Sequence, residues 1–103
     1  MEYKLIVSKE AHNDIDDIVN YIALKLANPT AAASFLDDVE KSYYEVINKP
    51  RMYSLCQDVR LSREGYRRIV IKNYLILYRI DDDAKAIHIV RIIYSGRNYS
   101  ELI

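Results

Sequence analysis

The apolar pattern of the chain changes period once, near Pro50, and this change restricts the fold more than any other feature. Before it, apolar residues recur at three- and four-residue spacing in two long stretches. After Gly65 they alternate, most clearly in "RRIVIKNYLILYRI", residues 67–80. Two amphipathic helices followed by alternating strands must pack as helices on a sheet, because each element has a single apolar side to bury.

The boundaries follow from local chemistry. "EYKLIV" reads as a first strand, and Ser8 stands in the N-cap position of a helix with Glu10 in its first turn. That helix runs to about Ala27. Ala11, Ile15, Ile18, Val19, Ile22, Ala23 and Leu26 form its apolar stripe; Asn13, Asp14, Asp16, Asp17 and Asn20 fall on other faces. In "NPTAA", Asn28 caps a second helix and Pro29 suits its first turn, where a missing N–H costs nothing. This helix turns Ala32, Phe35, Leu36, Val39, Tyr43, Val46 and Ile47 inward and stops before Pro50, so the two form a helix hairpin. An irregular stretch reaches Gly65, and strands follow at residues 66–72, 74–80 and 87–94. Residues 72–73 and 81–86 make the turns, with Asn73 expected to take the left-handed backbone. The reading is β-α-α-β-β-β: an α+β fold, one domain over residues 1–103, with both helices on one face of an antiparallel sheet.

At 103 residues and half apolar, the chain is large enough for one core and too small for two. No apolar run is long enough to span a bilayer and the N-terminus does not read as a secretory signal, so a cytoplasmic protein without a membrane partner is expected. Cys56 is the sole cysteine, which rules out an internal disulfide and lacks zinc-ligand spacing; a reduced structural thiol, with no metal and no cofactor, is the reading. His12 reads as a solvent-facing helix residue and His88 as an ordinary strand histidine.

Zero net charge conceals an asymmetry. Residues 1–50 hold five lysines and no arginine against nine acids, a net of −4; residues 51–103 hold eight arginines and two lysines against six acids, a net of +4. An acidic scaffold face and a basic working face are expected, since arginine suits bidentate and stacking contacts. Alternation sorts the strands. If Ile69, Ile71, Ile76 and Tyr78 pack under the helices, the other face shows Val70, Leu75 and Leu77 ringed by Arg68, Lys72 and Arg79. Such an apolar floor with a basic rim fits a partner surface.

The order strand, "SKEAHNDIDDIVNYIA", "NPTAAASFLDDVE", "GYRRIVIKNYLILYRIDDD", "IHIVRIIYSGRNYSELI" resembles the RelE/ParE superfamily of bacterial toxin–antitoxin toxins over essentially the whole length. The resemblance implies a compact α+β toxin held inactive by a cognate antitoxin, the pair reaching operator DNA through the antitoxin. One branch, similar to RelE, cuts mRNA on the ribosome without a metal and needs a base, an acid and cations around the phosphorane. Against that pattern Arg68 and Arg97 keep a cation, Val70 and Leu75 replace one, Ile103 stands at the terminal tyrosine position, and Tyr94 at that of a histidine some relatives use. For this branch the catalytic candidates are Arg68, Arg97 and Tyr94.

The ParE-like branch poisons DNA gyrase without catalytic residues, and its pattern is closer: an arginine pair (Arg67, Arg68), "NYLILYR", and "YSGR" near the end. The target-binding candidates are Arg67, Arg68, Tyr94, Arg97, Asn98 and Tyr99; those for the antitoxin are Arg68, Lys72, Leu75, Leu77 and Arg79. Three functions stay open: a gyrase-directed toxin, a ribosome-dependent endoribonuclease, and a relative that binds antitoxin but has lost toxicity.

Overall fold

Ser8 opens the first helix as its sequence position predicts, and it also fastens that helix to the sheet. Its hydroxyl accepts the Ala11 N–H at 3.0 Å and donates to the Val90 carbonyl at 2.7 Å, while its own N–H donates to Ile89. The structure, a computed structural model, describes residues 3–103. Strand β1 (Lys4–Val7) leads into α1 (Lys9–Asn20), which continues as a π-helical turn (Tyr21–Lys25); α2 (Pro29–Asn48) follows, capped by Asn28 with Pro29 in its first turn. A short helix α3 (Val59–Arg63), capped by Asp58, interrupts the stretch expected to be irregular. Strands β2 (Arg67–Ile71), β3 (Tyr74–Asp81) and β4 (Ala86–Tyr94) form the meander, and a 3₁₀ turn (Ser100–Leu102) ends the chain.

Among the described residues the strands form one sheet in the order β1-β4-β3-β2. The three meander strands are antiparallel, as expected. β1 departs from that expectation: it joins the far edge parallel to β4, Lys4 opposite Ala86 through Val7 opposite Ile89. Hairpin strands are antiparallel because a short turn reverses the chain, whereas β1 meets β4 only after the helices and the whole meander, so local sequence leaves its direction open.

The helix face holds the main core. Ile69, Ile71, Ile76, Tyr78, Ile87, Ile89 and Ile92 pack with Ala11, Ile22, Ala32, Phe35, Val39 and Val46. Full burial of side chains of this size contributes about 1.5–3 kcal/mol each. The Tyr78 hydroxyl donates to the Pro50 carbonyl at 2.7 Å, tying the end of α2 to the middle of the sheet. Two expected core residues face solvent, Leu36 and Leu26. For Leu26 the cause is the π-helical turn: one inserted residue rotates later side chains by about 100°. Ala27 then closes the helix in the left-handed region at φ 49°, with the Asn28 N–H reaching back to Ile22.

Beyond Val7 the edge of β4 is sealed by α1. Asp14 accepts the Ile92 N–H at 2.9 Å and takes a two-pronged pair from Arg91, at 2.8 and 2.9 Å, with both side chains largely buried. A bulge between Leu77 and Tyr78, opposite Arg91 and Ile89, leaves Val90 unpaired at this place in the register. Asp14 therefore does not sit on a solvated face. With Asp38 near Lys72 at 4.0 Å, it joins the acidic half to the basic half and cancels part of the expected segregation.

Candidate functional site

The sheet face opposite the helices is where the sequence placed an open apolar floor, and the structure closes it. Leu75, Leu77 and Ile93 are buried with Cys56, Leu61 and Tyr66, and Val90, Tyr99, Leu102 and Ile103 pack around them. Leu75 and Leu77 are accordingly not available to an antitoxin in this structure; the chain's own α3 region and tail lie on them. Val70, at the β2 edge, stays largely exposed. Alternation identified the face correctly but carried no information about what covers it.

The arginine pair is divided. Successive strand residues point to opposite faces, so Arg67 turns with Ile69 and donates to the Tyr53 carbonyl at 2.6 Å, while Arg68 turns to the tail side. There its charge acts on Cys56 and Tyr99. Burial pushes both groups up, and Arg68 counters this by favouring their anions. Arg68, Cys56 and Tyr99 thus share one neighbourhood, and the Arg68 N–H donates to Ser54. Lys72 departs from the expected rim. It, rather than Asn73, takes the positive φ of the hairpin turn, 52°, and its ammonium lies 3.4 Å from the Ser34 hydroxyl on the helix side.

At the other end of the same face, Arg79 lies with its guanidinium carbon 5.6 Å from the centre of the Tyr66 ring and is register partner to His88. His88 in turn stands opposite Ile6 of β1. Sequence reading passed over this grouping because it depends on the register of β3 against β4, which no spacing encodes.

Tyr94 lies elsewhere. It is paired in register with Tyr74, on the helix face, and is 56% exposed. Its ring meets Tyr74 edge-on at 6.1 Å, and Tyr74 meets Phe35 at 5.3 Å. A Cβ at Gly96 would stand 2.6 Å from the Tyr94 ring, so a larger residue there would displace the ring. Arg97 and Asn98 are exposed in the turn that follows, the Arg97 N–H donating to the Tyr94 carbonyl. Of the residues singled out from sequence, the fold gathers Arg68 with Tyr99; it separates Arg67 from Arg68, and Tyr94 from both Arg68 and Tyr99. Among the described residues no helix is long and apolar enough to cross a membrane.

Comparison with known proteins places this architecture. The fold is similar to that of the chromosomal ParDE system of P. aeruginosa, with a TM-score of 0.69 at 20% identity, covering 89% of this chain and 95% of that one. It is similar to a toxin–antitoxin complex, RelBE2, of Mycobacterium tuberculosis, with a TM-score of 0.63 at 20% identity, covering 91% and 99%. An arginine-substituted mutant of E. coli toxin RelE in the free state gives 0.68 at 14% identity, covering 99% and 90%. No curated protein matches at a significant level. The sequence itself matches the family described as the ParE toxin of type II toxin–antitoxin systems, parDE, over residues 5–99. With the match running from β1 through β4 to residue 99, the chain belongs to the ParE toxin family of type II toxin–antitoxin systems.

Proposed function

We propose that this toxin acts in the ParE-like manner, arresting replication by binding DNA gyrase, and that a cognate antitoxin neutralises it in the cytoplasm. The observation that carries this reading is the division of the candidate catalytic residues. Arg68 and Tyr94 occupy opposite faces of the sheet, and the positions where a ribonuclease of this superfamily would keep cations hold Val70 and buried Leu75. Stabilising a phosphorane needs donors converging on one point, whereas a binding toxin needs only an exposed surface. The turn bearing Arg97 and Asn98, beside Tyr94, is the proposed target contact; Arg79 and the Arg68 side of the tail are the proposed antitoxin contacts.

The deciding experiment is induction without antitoxin while incorporation of labelled thymidine and labelled methionine is followed together. Thymidine falling first supports the gyrase reading, and methionine falling first overturns it. One observation favours a second reading, a ribosome-dependent endoribonuclease: Arg79, His88 and Tyr66 meet on one face with Arg68 on the neighbouring strand. New mRNA 5′ ends in primer extension, lost in His88→Ala, would support it. Loss of toxicity, the third possibility, predicts normal growth on induction, and arrest excludes it.

A further inference from the structure

Strand register brings residues of different chemistry into one row on the sheet face opposite the helices. Ile6 of β1 stands opposite His88 of β4, and His88 stands opposite Arg79 of β3. All three side chains point to this face, because their chain neighbours Leu5, Val7, Ile87, Ile89, Tyr78 and Ile80 pack on the other. Beyond Arg79 the row ends on Tyr66, whose buried ring lies under the guanidinium, 5.6 Å from its carbon to the ring centre. The α3 region and the tail cover the neighbouring part of the face, over Leu75, Leu77 and Ile93, and leave Ile6 and Arg79 exposed.

The row holds donors without acceptors. Arg79 carries five N–H donors and His88 at least one, and among the described residues neither side chain has a hydrogen bond or an ion pair. Lys4, exposed on the same face two residues before Ile6, adds a further cation. The carboxylate that register brings nearest is Asp81, in the row of Lys4 and Ala86, and it is engaged by the β3–β4 turn, where it accepts the Ala84 N–H at 3.1 Å.

An ionised carboxylate, which only accepts, is the complement of a guanidinium beside an imidazole N–H. Two features select a carboxylate of a protein over the phosphates of a nucleic acid. The Tyr66 ring is buried under Arg79, so the row offers no aromatic face on which a base could stack. Asp81, Asp82 and Asp83 follow at the same end of the sheet and oppose a backbone charged at every residue.

We infer that Ile6, His88 and Arg79 form a receptor for an acidic protein segment, with one carboxylate between Arg79 and His88 and an aliphatic side chain on Ile6. The spacing suits an extended chain. From Ile6 to midway between His88 and Arg79 is one and a half strand separations, about 7 Å, and residues i and i+2 of an extended segment lie about 6.7 Å apart on one side. The partner is the antitoxin, and in this the inference rests on the reading of Arg79 as an antitoxin contact; what it adds is an aliphatic residue two positions from an acid in the antitoxin segment.

The test is amide chemical-shift mapping of the full chain with acetyl-Leu-Ala-Glu-amide and with acetyl-Leu-Ala-Gln-amide, which differ by one charge. The Glu peptide is expected to shift the amides of Ile6, Arg79 and His88 and to bind about threefold to fivefold more tightly than the Gln peptide. Arg79→Gln should remove that preference, whereas Lys41→Gln, exposed on α2, should keep it. Equal binding of the two peptides by the unaltered chain, or shifts that fall elsewhere, would overturn the inference, and neither outcome depends on a variant folding. Tighter binding at these amides by uridine 3′-monophosphate would also overturn it, in favour of the phosphate chemistry of a ribonuclease. The affinity of the Arg79→Gln chain for the antitoxin encoded beside the toxin separates the two readings. A weaker complex supports the antitoxin as the source of the carboxylate; an unchanged one, alongside a preference for the Glu peptide, overturns that source and leaves the receptor.

Discussion

The two faces of one sheet are covered by structures of different kinds. On one face lie α1 and the twenty residues of α2, which satisfy their own backbone hydrogen bonds and bury a continuous stripe from Ala32 through Phe35 and Val39 to Val46. On the other lie the five-residue α3, a loop and the tail, which contribute Leu61, Tyr99, Leu102 and Ile103 as separate contacts. A long helix orders its residues cooperatively, so each buried side chain gains from its neighbours. A chain end must offset the entropy of each residue it orders with fewer contacts. The comparison teaches that equal burial does not mean equal attachment: Leu77 is as buried as Ile76, but its cover is assembled piecemeal.

The largest effect that probes this contrast is Phe35→Ala, expected to cost about 3–5 kcal/mol in urea unfolding because α2 cannot collapse into the space. Leu61→Ala, the matching deletion on the other face, should cost about 2 kcal/mol, the low end for such a change, because α3 and the tail can settle inward. A larger loss from Leu61 than from Phe35 would break the comparison.

Between these two stands Asp14→Ala, which joins neither face but the edge they share. It leaves Arg91 largely buried without its carboxylate and the Ile92 N–H open, for an expected loss of about 3 kcal/mol. Arg91→Met in the Asp14→Ala background should recover part of that loss. Additive single and double substitutions, measured in the same unfolding assay, would mean that the two residues are not coupled.

The smallest effect belongs to Tyr43, on the helix face, whose hydroxyl is buried without a hydrogen-bond partner among the described residues. Tyr43→Phe should leave stability unchanged or raise it by up to about 1 kcal/mol at neutral pH, since no bond is lost. Burial pushes the Tyr43 hydroxyl up to about 12 from 10.0, so the folded state holds this proton longer than the unfolded one. Its contribution is complete below pH 10.0 and is lost as pH rises toward about 12. The phenylalanine variant should therefore lose less stability over that window, while the raised Tyr53, Tyr74 and Tyr78 maintain the rest of the decline. An unchanged alkaline slope would contradict the assignment.

Much of the fold was legible in order and type. Ser8 and Asn28 cap as their positions indicate, Pro29 opens α2, and Ile69, Ile71, Ile76 and Tyr78 face the helices. Less of the site was legible. The face bearing Leu75 and Leu77 followed from alternation, but its cover comes from residues 56–66 and 99–103, whose weak periodicity gave no indication of a packing partner. The Tyr74–Tyr94 pair and the Arg79–His88 pair depend on strand register, and the exposure of Leu26 on a π-helical turn that its apolar spacing did not mark.

What the sequence determined by itself is therefore what neighbours along the chain settle: the caps of the two long helices, the period of the long elements, the place of the hairpin turns and the side that Ile69, Ile71, Ile76 and Tyr78 face. These rest on interactions within a few residues. The tertiary structure alone decided the parallel entry of β1, the sealing of the β4 edge by Asp14, the burial of the expected open floor and the division of Arg68 from Tyr94. Each of these joins residues far apart in the chain or on different strands, where the free energy of packing selects among arrangements that local preference leaves nearly equal.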